Sequence, residues 1–131
     1  MKSTLVAVLV GLLLGAAGNR AIHGQQVKTP PAYVISEANE ITDLTSLREE
    51  YVAKVNETLA PFSGHYHFVV RGGKTEGLDG DPPPKGIVVI QFDSSEQAHA
   101  WYNSPAYAAI RPVRQAATKG RMFIVEGAAI Q

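Results

Sequence analysis

His65 and His67 stand two residues apart in the run His65-Tyr66-His67-Phe68-Val69-Val70-Arg71, which reads as a β-strand. Alternation along a strand puts both imidazoles on one face. Histidine is the side chain that changes charge near neutral pH without a large shift, so the pair is a candidate acid–base group. Glu76, a few residues further on, is the third candidate for catalysis. Two imidazoles at this spacing could share a metal. A third ligand would have to come from His99, Glu76 or Glu126, none at a diagnostic spacing, and no metal site is expected. Gly72-Gly73-Lys74-Thr75 has the form of the end of a phosphate loop, but position 68, which that pattern requires to be glycine, is Phe68. The two glycines read instead as a positive-φ turn where the strand leaves its sheet. Asp79-Gly80-Asp81 lacks the ligand series of a calcium loop. With Pro82-Pro83-Pro84 behind it, it reads as a stiff solvent-facing loop.

A second constellation lies further along. Trp101-Tyr102-Asn103-Ser104-Pro105-Ala106-Tyr107 is followed by Arg111-Pro112-Val113-Arg114. Tyr107, Arg111 and Arg114, at spacings of four and three, share one helical face. That face could hold a carboxylate or another anion, or pair with acidic groups of a second subunit. Trp101 and Tyr102 are expected to pack their helix against the sheet.

Composition excludes several chemistries. The chain of 131 residues has no cysteine, which removes disulfides, thiol nucleophiles, iron–sulfur clusters and cysteine zinc sites. The formal net charge is +0, so no broad field invites nucleic acid or an anionic membrane surface. No serine–histidine–acid order and no nucleophile elbow is present.

The elements that position these groups read as strand, helix, strand, strand, helix, strand. Tyr33-Val34-Ile35 opens the first strand. The recurrence of Leu44, Leu47, Tyr51, Val55 and Leu59 predicts a helix over 44–59, with Ser46 and Glu49 as a capping box. The second strand, 65–71, sets Tyr66, Phe68 and Val70 on one face and His65, His67 and Val69 on the other. The third, 87–92, is apolar on both faces and reads as a central, doubly covered strand. Ser94 and Gln97 cap the next helix, Ser104-Pro105 restarts it, Pro112 is expected to bend it and Gly120 to end it. A final strand occupies 122–125. The fold class is α+β, a ferredoxin-like βαββαβ domain with a four-stranded antiparallel sheet.

Two helices can cover only one face of such a sheet. The other face would leave an apolar patch in water unless something covers it, and a second copy of the same sheet is the simplest cover. A homodimer is therefore expected.

The N-terminus carries an address. Lys2 is followed by an unbroken apolar or small stretch at 5–17, shorter than the roughly 20 residues a membrane span requires and suited to the core of a secretory signal. A signal at 1–24, a polar linker at 25–31 ending in Pro30-Pro31, a domain at 32–127 and a short tail at 128–131 follow. Cleavage removes Lys2 and Arg20, leaves the chain slightly acidic and leaves no stable membrane anchor. The mature protein is expected in the periplasm or outside the cell.

The Trp101–Tyr107 run, the Arg111–Arg114 run behind it, an earlier Arg71-Gly72-Gly73-Lys74 and a closing Val125-Glu126-Gly127 resemble the domain of unknown function 1330 family over roughly Ala32 to Gly127. The resemblance implies a ferredoxin-like domain that pairs into a dimeric α/β barrel. It also directs attention to Arg71 and Glu76, which match an Arg-Gly-Gly and a following acidic residue of that family. Related barrels include cofactor-independent monooxygenases whose sites lie between the helices and the sheet of one subunit, a chemistry that needs no cofactor and only a polar residue or two. The expectation is a small apolar or aromatic ligand bound between helices and sheet, with cofactor-independent oxygenase or isomerase-like chemistry as one reading and a non-catalytic binding module or a purely structural dimer as the others. Candidate ligand-binding residues are Tyr51, Arg71, Trp101, Tyr102 and Arg111. Tyr33, His65 and His67 are further groups able to line such a pocket.

Overall fold

The computed structural model of the chain describes residues 29–128. The expected signal at 1–24, the linker's first part at 25–28 and the tail's end at 129–131 lie outside the described residues.

Strand β1 spans Ala32–Ile41. Helix α1 is a continuous helical run over 44–59. Its first turn, Leu44–Ser46, and its last part, Ala53–Leu59, are α-helical, and Leu47–Val52 between them is wound as a π-helix. A 3₁₀ turn, Ala60–Phe62, leads to β2, Tyr66–Arg71, and a long loop then reaches β3, Gly86–Phe92. Helices α2, Ser95–Tyr102, and α3, Pro105–Ala117, precede β4, Thr118–Glu126. The sheet order is β2-β3-β1-β4, antiparallel throughout, as expected for a ferredoxin-like α+β fold.

Strand register sorts the side chains into two faces. Ala32, Val34, Ile90, Phe92, Tyr66, Phe68, Met122 and Ile124 turn toward the helices and join the core with Val55, Leu59, Trp101, Tyr107 and Ile110. Trp101, Tyr107, Phe92, Leu59 and Val34 are fully buried. Burying a large apolar side chain stabilises by roughly 1.5–3 kcal/mol relative to exposure, so this set dominates the fold's stability. On the far face, Phe123, Ile35, Val89 and Val70 form one apolar row across the four strands. Polar residues stand on both sides of it, Gln91 and His67 in one neighbouring row and Glu37 and Arg121 in the other.

Several local expectations change. The cap of α1 is Asp43, whose carboxylate accepts from the Ser46 N–H at 3.0 Å; Ser46 is already inside the helix and makes no cap bond. Leu44 of the expected buried stripe is exposed. Ser94 and Ser104 cap α2 and α3 as expected, each accepting a backbone N–H at 3.2 Å. Helix α3 runs continuously through Pro112, which lies on its exposed side, away from the packed core. Gly120 does not end a helix. It lies within β4 opposite Ala38, where a Cβ would run into the Glu37 carbonyl, so the close approach of β4 to β1 requires glycine there. Gly72, at φ 70°, makes the positive-φ turn expected at the end of β2.

The change with most consequence is in β2. Phe68 pairs with Ile90, but the next paired residue is Val70, opposite Val89, so Val69 is an extra residue in the strand. A bulge of this kind re-aims the side chains that follow it. Val70 moves to the far face, and Arg71, opposite Val88, turns toward the helices.

Candidate functional site

A cavity of about 210 Å³ lies between α1 and the sheet. Its floor is Val34 and Ser36 of β1, Phe68 and Arg71 of β2, Val88 and Ile90 of β3, and Met122 of β4. Its roof is Tyr51, Val52 and Val55 of α1. The lining is almost wholly hydrocarbon; the residues with polar groups are Ser36, Tyr51, Arg71 and, through its backbone, Gly72. The Arg71 guanidinium lies 4.3 Å over the Phe68 ring, within the range of a cation–π contact. An apolar cavity of about 150 Å³ holds benzene, so this one has room for a six-membered ring with a short substituent.

A second compartment of about 220 Å³ adjoins it, sharing Ser36, Tyr51, Val52, Gly72 and Val88 and adding Leu47, Arg114 and Thr118 among others. Tyr51 stands between the two. Its hydroxyl is 2.8 Å from that of Tyr107 on α3, and the Arg114 Nε–H donates to the same Tyr107 oxygen at 3.2 Å. The Met122 sulfur is a further neighbour of Tyr107 Oη, at 3.8 Å. Burial, and then the adjacent Tyr107, push the Tyr51 phenol well above its usual range, against a smaller opposing effect of Arg114. Tyr51 therefore stays a neutral O–H at any ordinary pH and acts as a hydrogen-bond donor or acceptor, not as a phenolate.

The expected site residues separate in space. Tyr51 and Arg71 meet at the cavity. Trp101 does not reach it: the indole is 0% exposed, its ring centroid lies 4.1 Å from that of Tyr107, and its Nε1–H donates to Thr58 Oγ1 at 3.0 Å. Tyr102 lines a separate, more open hollow with His99, Met122 and Ile124. Arg111 is held against that same tyrosine, 4.8 Å over its ring, and donates to its carbonyl at 3.3 Å. Tyr33 pairs with Gln91 and Val125 on the far face of the sheet.

His67 also falls on that far face, opposite Gln91, and is exposed. His65, at the entrance to β2, is exposed and bonded through Nδ1 to Asp93 at 2.7 Å. The two imidazoles miss the cavity together, as alternation along one strand requires. Glu76 is exposed in the loop after β2 and lines neither compartment. No cluster of three or more metal-ligating side chains occurs among the described residues. No described helix is long and apolar enough to cross a membrane.

The Domain of unknown function (DUF1330) family matches residues 31–128. The chain belongs to the DUF1330 family. Its fold is shared by crystal structures of RPA0582 proteins. A methylated RPA0582 protein is 12% identical, with a TM-score of 0.60, over 85% of this chain and 90% of that one. The RPA0582 protein of unknown function from Rhodopseudomonas palustris is 14% identical, with a TM-score of 0.58, over 85% of this chain and 92% of that one. At these identities the likeness speaks to the fold of this DUF1330 protein alone. No curated protein matches it.

Sequence reasoning did not find Ser36, Val88, Ile90 and Met122 as cavity residues; it put Tyr107 and Arg114 on one helical face, where they do meet, but did not bring Tyr51 to them. The strand alternation that carries Val34, Phe68 and Ile90 inward is visible in the sequence and could have named the floor.

Proposed function

We propose that this DUF1330 protein is an exported homodimer that binds a small apolar or aromatic molecule in the cavity between α1 and the sheet. The observation that carries the reading is the cavity itself, about 210 Å³ of apolar space walled by Val34, Val55, Phe68, Ile90 and Met122, with polar groups at Ser36, Tyr51, Arg71 and the Gly72 backbone. Ligand sites are commonly apolar concavities with a few placed polar groups. Pairing through the far face is supported by its row of Phe123, Ile35, Val89 and Val70, with Phe123 37% exposed and Val69 beside the row 49% exposed. Export is supported by Lys2 and the apolar stretch at 5–17.

A catalytic reading has one observation in its favour. Tyr51 offers the cavity a neutral phenol, a group able to donate to an oxygen that gains charge. Oxygenase or isomerase-like turnover of a reactive substrate would use it in that role.

Native mass spectrometry of protein purified from its own host tests the binding reading. A retained small apolar molecule supports it, and its release from a variant whose cavity is filled by Val55→Phe supports the location. Bare protein that also takes up no ring-sized apolar compound when one is supplied contradicts it.

A further inference from the structure

Arg114 is a buried cation without a counter-charge. It is 9% exposed. A guanidinium is a cation with five N–H donors and no acceptor. The ion pairs formed among the described residues join His65 to Asp93, Glu40 to Lys119 and Glu37 to Arg121, and none engages Arg114. Within the described residues its side chain makes one hydrogen bond, from Nε to Tyr107 Oη. Its other nitrogens are not sealed without a partner, and the residue lines both the compartment that adjoins the apolar cavity and a polar hollow with Gln115, Gly120 and Arg121. An unpaired charge held this deep is costly, so proteins supply a partner or keep the position for a ligand.

The geometry points to a carboxylate site: we infer that Arg114, with the Tyr51 hydroxyl, receives the carboxylate of a small ligand whose apolar body fills the neighbouring cavity. The inference rests on the cavity reading above and narrows it to monocarboxylic acids with a ring or short branched body. The hydrogen bonds can run in the required direction when the Tyr107 proton turns to Tyr51 and not to the Met122 sulfur. Arg114 donates to Tyr107, Tyr107 can donate to Tyr51, and the Tyr51 proton is then free to point at the ligand. Each donation polarises the next, and a chain that begins on a cation ends on a strengthened donor. An anion at Tyr51 satisfies that donor, and the open guanidinium N–H groups of Arg114 supply the charge-assisted bonds that carboxylates prefer. Tyr51, which lines both compartments, would orient the ligand with its apolar end against Val34 and Ile90.

Calorimetric titration of the purified full-length protein with toluene, benzoate and benzamide separates the possibilities. The expected result is binding of all three, with benzoate at least about tenfold tighter than benzamide, a difference near 1.4 kcal/mol. Tyr51→Phe and Arg114→Gln should each remove most of that preference, read as the ratio of benzoate to benzamide affinity within the variant. Tyr51→Phe keeps the test open if Arg114→Gln does not fold. Toluene binding without a preference for benzoate overturns the carboxylate site and leaves the cavity reading standing. Failure of all three to bind overturns the cavity reading and this inference with it. Preference for benzoate that survives both substitutions also overturns the assignment, because the anion is then held elsewhere.

Discussion

The hydroxyls of Tyr51 and Tyr107 lie 2.8 Å apart, one carried by the π-wound part of α1 and the other by the first turn of α3. Their rings meet edge to face at 74°, with centroids 6.1 Å apart. This contact ties α1 to α3 over the sheet. Removing either hydroxyl leaves the other with one partner fewer in a largely buried place.

Alkaline stability should report that contact. Burial raises the Tyr51 pKa far above its usual 10.0. The folded protein therefore holds a proton that the unfolded chain releases above that pH. Stability from this group is fully present below about pH 10 and is lost as pH rises further. In Tyr51→Phe the alkaline decline should be shallower. Urea midpoints measured from pH 8 to 11.5 would show it, and parallel curves for parent and variant would contradict it.

The one tryptophan of the chain is held from two sides. Trp101 Nε1–H donates to Thr58 Oγ1, and that hydroxyl donates in turn to the Val55 carbonyl at 2.6 Å. Trp101→Phe removes the indole donor and leaves a void, so a loss of roughly 1–3 kcal/mol is expected. Urea unfolding followed by circular dichroism should give a lower midpoint at an unchanged slope. A midpoint equal to the parent's would mean that the indole is not locked in place.

Gly120 is a steric requirement, not a hinge. A side chain there meets the Glu37 carbonyl in the neighbouring strand. Gly120→Ala should destabilise by roughly 1–3 kcal/mol as β4 is pushed from β1. Gly80→Ala, in an exposed loop with open space around its Cβ, carries only the conformational cost of its φ of 76° and is the control. Equal losses in the two variants would show that the close approach does not matter.

Much of the fold was legible because its signals are periodic. The 3.6-residue recurrence of Leu47, Tyr51, Val55 and Leu59 marked α1, and Ser94 and Ser104 marked two helix starts by cap chemistry. Strand β3 was legible because Ile87 to Phe92 are apolar on both faces, and the two faces are indeed distinct, Val88 and Ile90 inward and Ile87 and Val89 outward. The bulge in β2 was not legible. Val69 and Val70 are chemically identical, so no break in the polar–apolar alternation marks the extra residue. The reversal it causes is what brings Arg71 to the cavity. The separation of Trp101 and Tyr102 from the site was hidden for a related reason, since an aromatic residue suits a core and a pocket wall equally.

Assembly is testable through the outward set. Val89 lies in the far-face row with Ile35 and Phe123. Obligate homodimer interfaces commonly bury roughly 2,000 Å² or more, so a charge at the centre of such a patch should be decisive. Val89→Glu is expected to turn a dimer into a monomer of native secondary structure, and Glu96→Lys, on an exposed position of α2, is expected to leave the mass unchanged. Light scattering of the parent as a monomer at micromolar concentration would contradict the pairing.

The proposed function stands or falls with ligand binding in the space between α1 and the sheet. The most direct measurement is a nitrogen–proton correlation spectrum of the full-length protein titrated with toluene. Saturable shifts are expected at the amides of Val34, Val55, Phe68, Val88 and Ile90, absent in Val55→Phe. Shifts confined to the hollow beside Tyr102, or no saturable shift at all, would contradict it.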